Sequence, residues 1–273
     1  MFTGSPPTSN SVTLGASGRY IERPTVTYTP VQGEKFTRAF LRPVPPAALF
    51  QLVQAGYSID LIFQLAVRSI NDVYNRNSRP FMAREADLKF YAVLDALRRI
   101  QLSESVDFRL DKVGKDDAAL LVFRNRVSPE LERDTRFVRE TLGLDPDATE
   151  FTITFGALPR NSKEIAILSR SMFEILLELG AGADVPAKHI EEGRTTPNMA
   201  APVVARDAPM VRIRSGTDRP PNSFAAIQYR ERWFWIDDRD LRSKAVFTFL
   251  MLLFSLAETG VAPQAPLVTI PLN

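Results

Sequence analysis

The chain has no cysteine. That absence excludes disulfides, thiolate nucleophiles and cysteine-based metal sites. A single histidine, His189, rules out a metal centre built from several imidazoles. Any Ser–His–Asp triad would have to use it. It lies beside Lys188, Glu191 and Glu192 with no positioned nucleophile, where a solvated loop histidine is the ordinary explanation. Lysine is scarce: of the 34 lysines and arginines, seven are lysine and 27 arginine. Arginine keeps its charge and makes planar forked contacts suited to interfaces. A GC-rich genome would enrich arginine, alanine and proline without any such role. Long apolar runs are missing too. The longest, residues 245–257, is broken by Thr248 and Ser255 and falls short of the ~20 residues a spanning helix needs. No GxSxG, Walker-type phosphate loop, GxGxxG or EF-hand pattern occurs.

What is present reads as a globular chain. Its 273 residues, 45% of them hydrophobic, suffice for one large domain or two small ones. The net charge is +2, with acids and bases interspersed. No basic face emerges, so nucleic acid is not an expected partner.

Residues 1–19 are rich in Ser, Thr, Gly and Pro and read as a flexible tether without the charged start and apolar core of a secretory signal. Residues 20–273 read as a single domain. A short edge strand is expected at 24–30, then a helical block over about 33–104. Its helices are placed at 34–41, 46–55, from a cap at Ser58 as far as Asn75, and 85–102. In the third, Gln64, Arg68, Asn71 and Asn75 fall on the polar side. The mixed part begins with a hairpin over 106–111 and 118–124, followed by a helix from Ser128-Pro129 to about Gly143 and a strand at 151–155. Residues 161–179 read as an amphipathic helix capped at Asn161-Ser162, exposing Lys163, Arg170, Glu174 and Glu178. Residues 181–209 carry no usable periodicity and read as a long irregular loop. Short strands are placed at 211–214 and, near the end, at 267–270.

The most informative stretch is 224–257: strand, turn, strand, then a helix apolar on nearly every side. A turn centred on Arg230-Glu231 sets Ile227 opposite Phe234 and Ala225 opposite Ile236. It sets Gln228 opposite Trp233 and Ala226 opposite Trp235 on the other face. Arg-Glu suits a two-residue turn poorly, so a wider loop over 229–232 in the same register is expected. The helix after it is expected to be buried in the core. The fold class is therefore α+β, with a mainly antiparallel sheet packed by helices, an N-terminal helical block and a buried C-terminal helix.

Candidate sites cluster in the same stretch. Trp233 and Trp235 point one way and form a candidate aromatic platform, although strand aromatics are usually core. Arg230 and Arg232, like Arg98-Arg99, are candidates for an acidic partner, with solvated charge as the default. Asp237, Asp238 and Asp240 resemble oxygen ligands for a divalent cation, but helix capping explains all three without an ion. No catalytic residue is assigned and no cofactor is expected.

Three segments carry a family resemblance: ERPTVTYTP near the start, AVRSINDVYN, and IQYRERWFWIDDRDLRSKAVFTFLMLLFSL near the end. The chain from Tyr20 onward resembles an uncharacterised family of bacterial envelope lipoproteins. The resemblance implies a soluble domain on the periplasmic side, tethered to the membrane through its N-terminus, with another envelope protein as partner. The lipid-bearing cysteine of that family has no counterpart in this sequence. The expected function is thus non-catalytic binding or assembly at the cell envelope. The alternatives are a metal-assisted enzyme acting on phosphate or sugar substrates and, third, a cytoplasmic nucleic-acid binder.

Overall fold

The computed structural model describes residues 37, 40–78, 82–103, 106–113, 116–123, 128–196 and 209–258. The expected tether at 1–19, the strands at 24–30 and 267–270 and most of the helix at 34–41 lie outside the described residues. The chain runs α1 (Pro46–Gln54), α2 (Ile59–Ala66), β1 (Val67–Ile70), β2 (Val73–Tyr74), α3 (Leu88–Leu102), β3 (Val106–Val113), β4 (Asp116–Phe123) and α4 (Pro129–Thr141). It continues with β5 (Glu150–Phe155), β6 (Glu164–Ser169), α5 (Met172–Gly180), α6 (Ala187–Glu191), β7 (Arg214–Gly216), β8 (Ser223–Tyr229), β9 (Arg232–Asp237) and α7 (Leu241–Glu258).

Six strands form one sheet in the order β2-β1-β6-β5-β4-β3. Every neighbouring pair is antiparallel except β5 with β6. Strands β7, β9 and β8 form a second, antiparallel sheet. The fold is α+β and mainly antiparallel, as the sequence indicates. Among the described residues, no helix is long and apolar enough to cross a membrane.

Local signals explain several elements. Pro46 occupies the first turn of α1, and Gly56, at φ +94°, follows its end. The Ser128 hydroxyl accepts from the Leu131 N–H and starts α4. Phe90, Val93, Leu94, Leu97 and Ile100 of α3 are buried, matching their helical spacing. The core includes edge-to-face contacts of Phe50 with Phe63 and of Phe123 with Phe151.

Two expected helices are each part strand. From Ser58 the chain is helical only to Ala66. Val67 turns extended and β1 begins. Asn71 and Asp72 make the β1–β2 turn at φ +44° and +65°, a conformation that a hairpin needs and these side chains tolerate. Asn71 and Asn75, expected on the polar side, are buried. Residues 161–179 likewise divide near Arg170: β6 precedes it and α5 follows. Glu164, Ile165, Ala166, Ile167 and Ser169 of β6 are all buried. A strand covered on both faces shows no alternation, so its apolar run mimics a helix. Asn161 caps no helix; its side-chain oxygen accepts from the Lys163 N–H in a turn. The cap of α5 is Ser171, locked to Glu174 in a reciprocal capping box.

The β8–β9 register is the expected one: Ile227 faces Phe234, Ala225 faces Ile236, Gln228 faces Trp233 and Ala226 faces Trp235. The wider loop is not formed. Tyr229 pairs with Arg232, and Arg230 supplies the left-handed residue of a two-residue turn at φ +55°. The strand expected at 211–214 starts instead at Arg214. Within 181–209 the chain makes the short α6, and residues 197–208 lie outside the described part. Helix α7 buries Val246, Phe249, Leu250 and Leu253 on one side, while Leu241 and Met251 on the other are 74% and 57% exposed. It packs against α5 and the Tyr57 ring, so its burial is one-sided.

Candidate functional site

The β1–β2 hairpin, the segment after it and α5 enclose a cleft of about 460 Å³. Four arginines, Arg68, Arg76, Arg84 and Arg170, line it together with Glu174 and Glu178. Its floor follows from the early end of α2. A helix leaves its last carbonyls without intrahelical partners. Here Arg170 donates to the Gln64 and Leu65 carbonyls at 3.0 and 2.9 Å. Asn75 donates to the Gln64 and Val67 carbonyls at 2.9 and 2.7 Å. A guanidinium at a helix C-terminus also complements the dipole. The other end of Arg170 donates to the Arg76 carbonyl and faces the Glu178 carboxylate at 3.7 Å.

Glu178 is buried but well partnered. It accepts from the Ser78 N–H at 2.9 Å, the Ser78 hydroxyl at 2.7 Å and the Arg76 Nε at 2.8 Å. Burial pushes its carboxyl up, but Arg170, Ser78 and Arg76 together hold it below the ordinary glutamate value. Burial also lowers Arg170, with Glu178 opposing that shift. On the rim, Arg68 pairs with Glu174 at 3.5 Å. The Arg84 guanidinium lies 3.9 Å from the centre of the Tyr74 ring, a cation–π contact. The Tyr74 hydroxyl is pushed up chiefly by its hydrogen bond to Asp72. Among the described residues no carboxylate forms an ion pair with Arg84. Both glutamates are engaged, so the cleft presents an excess of positive charge, four arginines against two carboxylates.

The residues singled out from the sequence are spread along the second sheet. Trp233 and Trp235 are half-buried. Trp233 lies under Arg219, with its ring centre 5.6 Å from the guanidinium. Trp235 covers Gly216, where an added Cβ would sit 3.3 Å from the indole. Arg230 and Arg232 lie at the turn end of the ribbon, away from Asp237. Arg230 rests against the Tyr229 ring, and the buried Arg232 Nε has no hydrogen-bond partner among the described residues.

The three aspartates are at the other end. Asp240 is the cap of α7: its carboxylate accepts from the Ser243 N–H at 3.0 Å and from the Ser243 hydroxyl at 2.7 Å. The Ser243 N–H, then the hydroxyl, hold its carboxyl below the ordinary value. Asp237 accepts from the Arg239 N–H at 2.9 Å and faces Arg214 at 3.4 Å. Asp238 pairs with Lys244. The capping role therefore falls to Asp240 alone, not to all three aspartates as the sequence suggests. Among the described residues, no group of three or more acidic or imidazole side chains converges as a metal site. His189 is half-buried in α6. Arg98 faces Asp60 at 3.6 Å, and Arg99 makes a two-pronged bond to Asp134.

None of Arg68, Arg76, Arg84 and Arg170 stands out in the sequence as a site residue. Arg68 and Arg170 fall on the polar sides of the two expected helices and look solvated there. The one available signal is that each lies inside a run otherwise buried in the core. No protein-family model matches this chain, and neither a curated protein nor a solved structure does.

Proposed function

We propose that the protein is a non-catalytic binding component whose partner places an acidic group in the cleft between the β1–β2 hairpin and α5. The observation that carries this reading is the charge state of the cleft: four arginines, two glutamates already bound, and Arg84 held over Tyr74 with no carboxylate of its own among the described residues. The floor is fixed by buried hydrogen bonds, so little ordering is left for binding to supply. The sequence resemblance supports an envelope setting, with an acidic segment of another envelope protein as the partner. A metal-assisted enzyme at Asp237, Asp238 and Asp240 has less support, because each carboxylate already holds a hydrogen bond or a cation.

A labelled peptide of alternating Glu and Ala tests the reading by fluorescence anisotropy. Binding is expected to weaken with salt and to fall about tenfold in Arg84→Glu. Binding that ignores this reversal, or no binding at low salt, overturns the site. Recovery of the native protein in the cytosolic fraction removes the envelope part.

A further inference from the structure

A second cleft, of about 470 Å³, lies where residues 209–214 cross the start of α7. Four arginines from separate elements line it: Arg212, Arg214 on β7, Arg239 in the β9–α7 turn and Arg242 in the first turn of α7. Their backbones are pinned. The Arg212 N–H donates to the Ser243 hydroxyl at 2.9 Å, which itself donates to Asp240 at 2.7 Å. The Arg239 N–H is held by Asp237 at 2.9 Å. Arg214 is paired with Trp235 in the sheet register.

Among the described residues, the carboxylates lining this cleft are Asp237 and Asp240. Asp240 is occupied by Ser243 on both oxygens, and Asp237 takes Arg214. Among the described residues, Arg212, Arg239 and Arg242 form no ion pair. Asp240 still attracts Arg212 and Arg214 electrostatically, but four guanidinium groups against two carboxylates leave a repulsion that an anion relieves. The hairpin cleft leaves one arginine without a carboxylate. This one leaves three outside any close ion pair and an excess of two positive charges, which suits a group with several oxygens and close to two charges. Phosphate has both, and guanidinium forks match it in pairs. The α7 N–H groups are not invoked, because Asp240 already caps them.

We propose that this second cleft is a binding site for a phosphate group, held by Arg212, Arg214, Arg239 and Arg242. The site is separate from the acidic-partner cleft in residues and in ligand. The phosphate belongs either to a free soluble ligand or to a phospholipid headgroup.

Calorimetric titration with inorganic pyrophosphate at low ionic strength, and sedimentation with phosphatidylcholine vesicles with and without phosphatidate, test the proposal on the full chain. The variant is Arg239→Ala/Arg242→Ala, two exposed residues whose loss leaves the core intact, with thermal melting to confirm folding. Pyrophosphate affinity is expected to fall about tenfold or more in this variant and to stay unchanged in Arg84→Glu. Vesicle binding that requires phosphatidate and is competed by pyrophosphate assigns the headgroup. Pyrophosphate binding without vesicle binding assigns the free ligand. Absence of both, equal affinity for sulfate, or a folded double variant that binds like the parent overturns the proposal.

Discussion

Arg170 and Glu178 face one another across 3.7 Å, with side chains 4% and 6% exposed. They join β6, α2 and α5 at the floor of the hairpin cleft. Removing one member of a buried pair leaves the other uncompensated, whatever the pair contributes as a whole. Glu178→Gln is therefore expected to destabilise the fold by about 3–5 kcal/mol, read from urea denaturation. A loss under about 1 kcal/mol would mean that water reaches Arg170.

The same carboxylate makes stability depend on pH. Its folded value lies below the ordinary 4.5, so in acid the unfolded chain binds more protons than the folded one. The contribution is complete above the unfolded value and is lost as pH falls through the lower folded one. Glu164 shifts the same way: burial opposes the shift, but Arg160 and Thr154 outweigh it. The urea midpoint is expected to drop between about pH 5 and pH 2, and less steeply in Glu178→Gln. An unchanged slope in that variant contradicts the assignment.

Asn71 is both a left-handed turn residue and a buried connector. Its amide donates to the Leu142 carbonyl at 2.7 Å and the Glu164 carbonyl at 3.3 Å, and accepts from the Ala166 N–H at 2.7 Å. Asn71→Gly relieves the backbone and keeps only the loss of hydrogen bonds, about 1–3 kcal/mol for each buried group left unpaired. Asn71→Ala adds backbone strain. Thermal melting should rank parent, then Gly, then Ala. A Gly variant as stable as the parent would show that the turn, not the bonding, is what Asn71 provides.

The aspartates before α7 should separate by role. Asp240→Ala is expected to cost about 0.5–2 kcal/mol as a lost cap. Asp238→Ala, which removes only a partner of Lys244 at the surface, should stay within about 1 kcal/mol. Equal losses in melting temperature would contradict the assignment of the cap to Asp240.

One-sided burial of α7 makes a paired prediction. Phe249, 3% exposed, should cost about 3–5 kcal/mol when cut to alanine. Met251, 57% exposed, should change stability by no more than about 0.5 kcal/mol. Comparable losses at the two positions would place a further layer over the outer face of the helix.

Elements with their own punctuation were legible from the residues alone. Pro46 and Gly56 bracket α1, Ser128-Pro129 opens α4, and the spacing of Phe90, Val93, Leu94 and Leu97 marks α3. The 224–257 stretch shows its observed register in the residue pattern, whereas its two-residue turn at Arg230-Glu231 is not the wider loop the residue types suggest. The hairpin cleft was not legible. Arg68, Asn75, Arg170 and Glu178 look like a solvated face when 58–75 and 161–179 are taken as helices.

By itself the sequence determined the fold class, the starts of α1, α2 and α4 and the β8–β9 pairing, since the helix starts and the pairing depend on neighbours a few positions away. Tertiary structure alone decided that helix gives way to strand at Val67 and that β6 precedes α5. Each choice buries both faces of a strand and sends a polar side chain to distant backbone: Arg170 to Gln64 and Leu65, Asn71 to Leu142 and Ala166. Local periodicity carries no record of such partners, because they exist only once the sheet has closed around them.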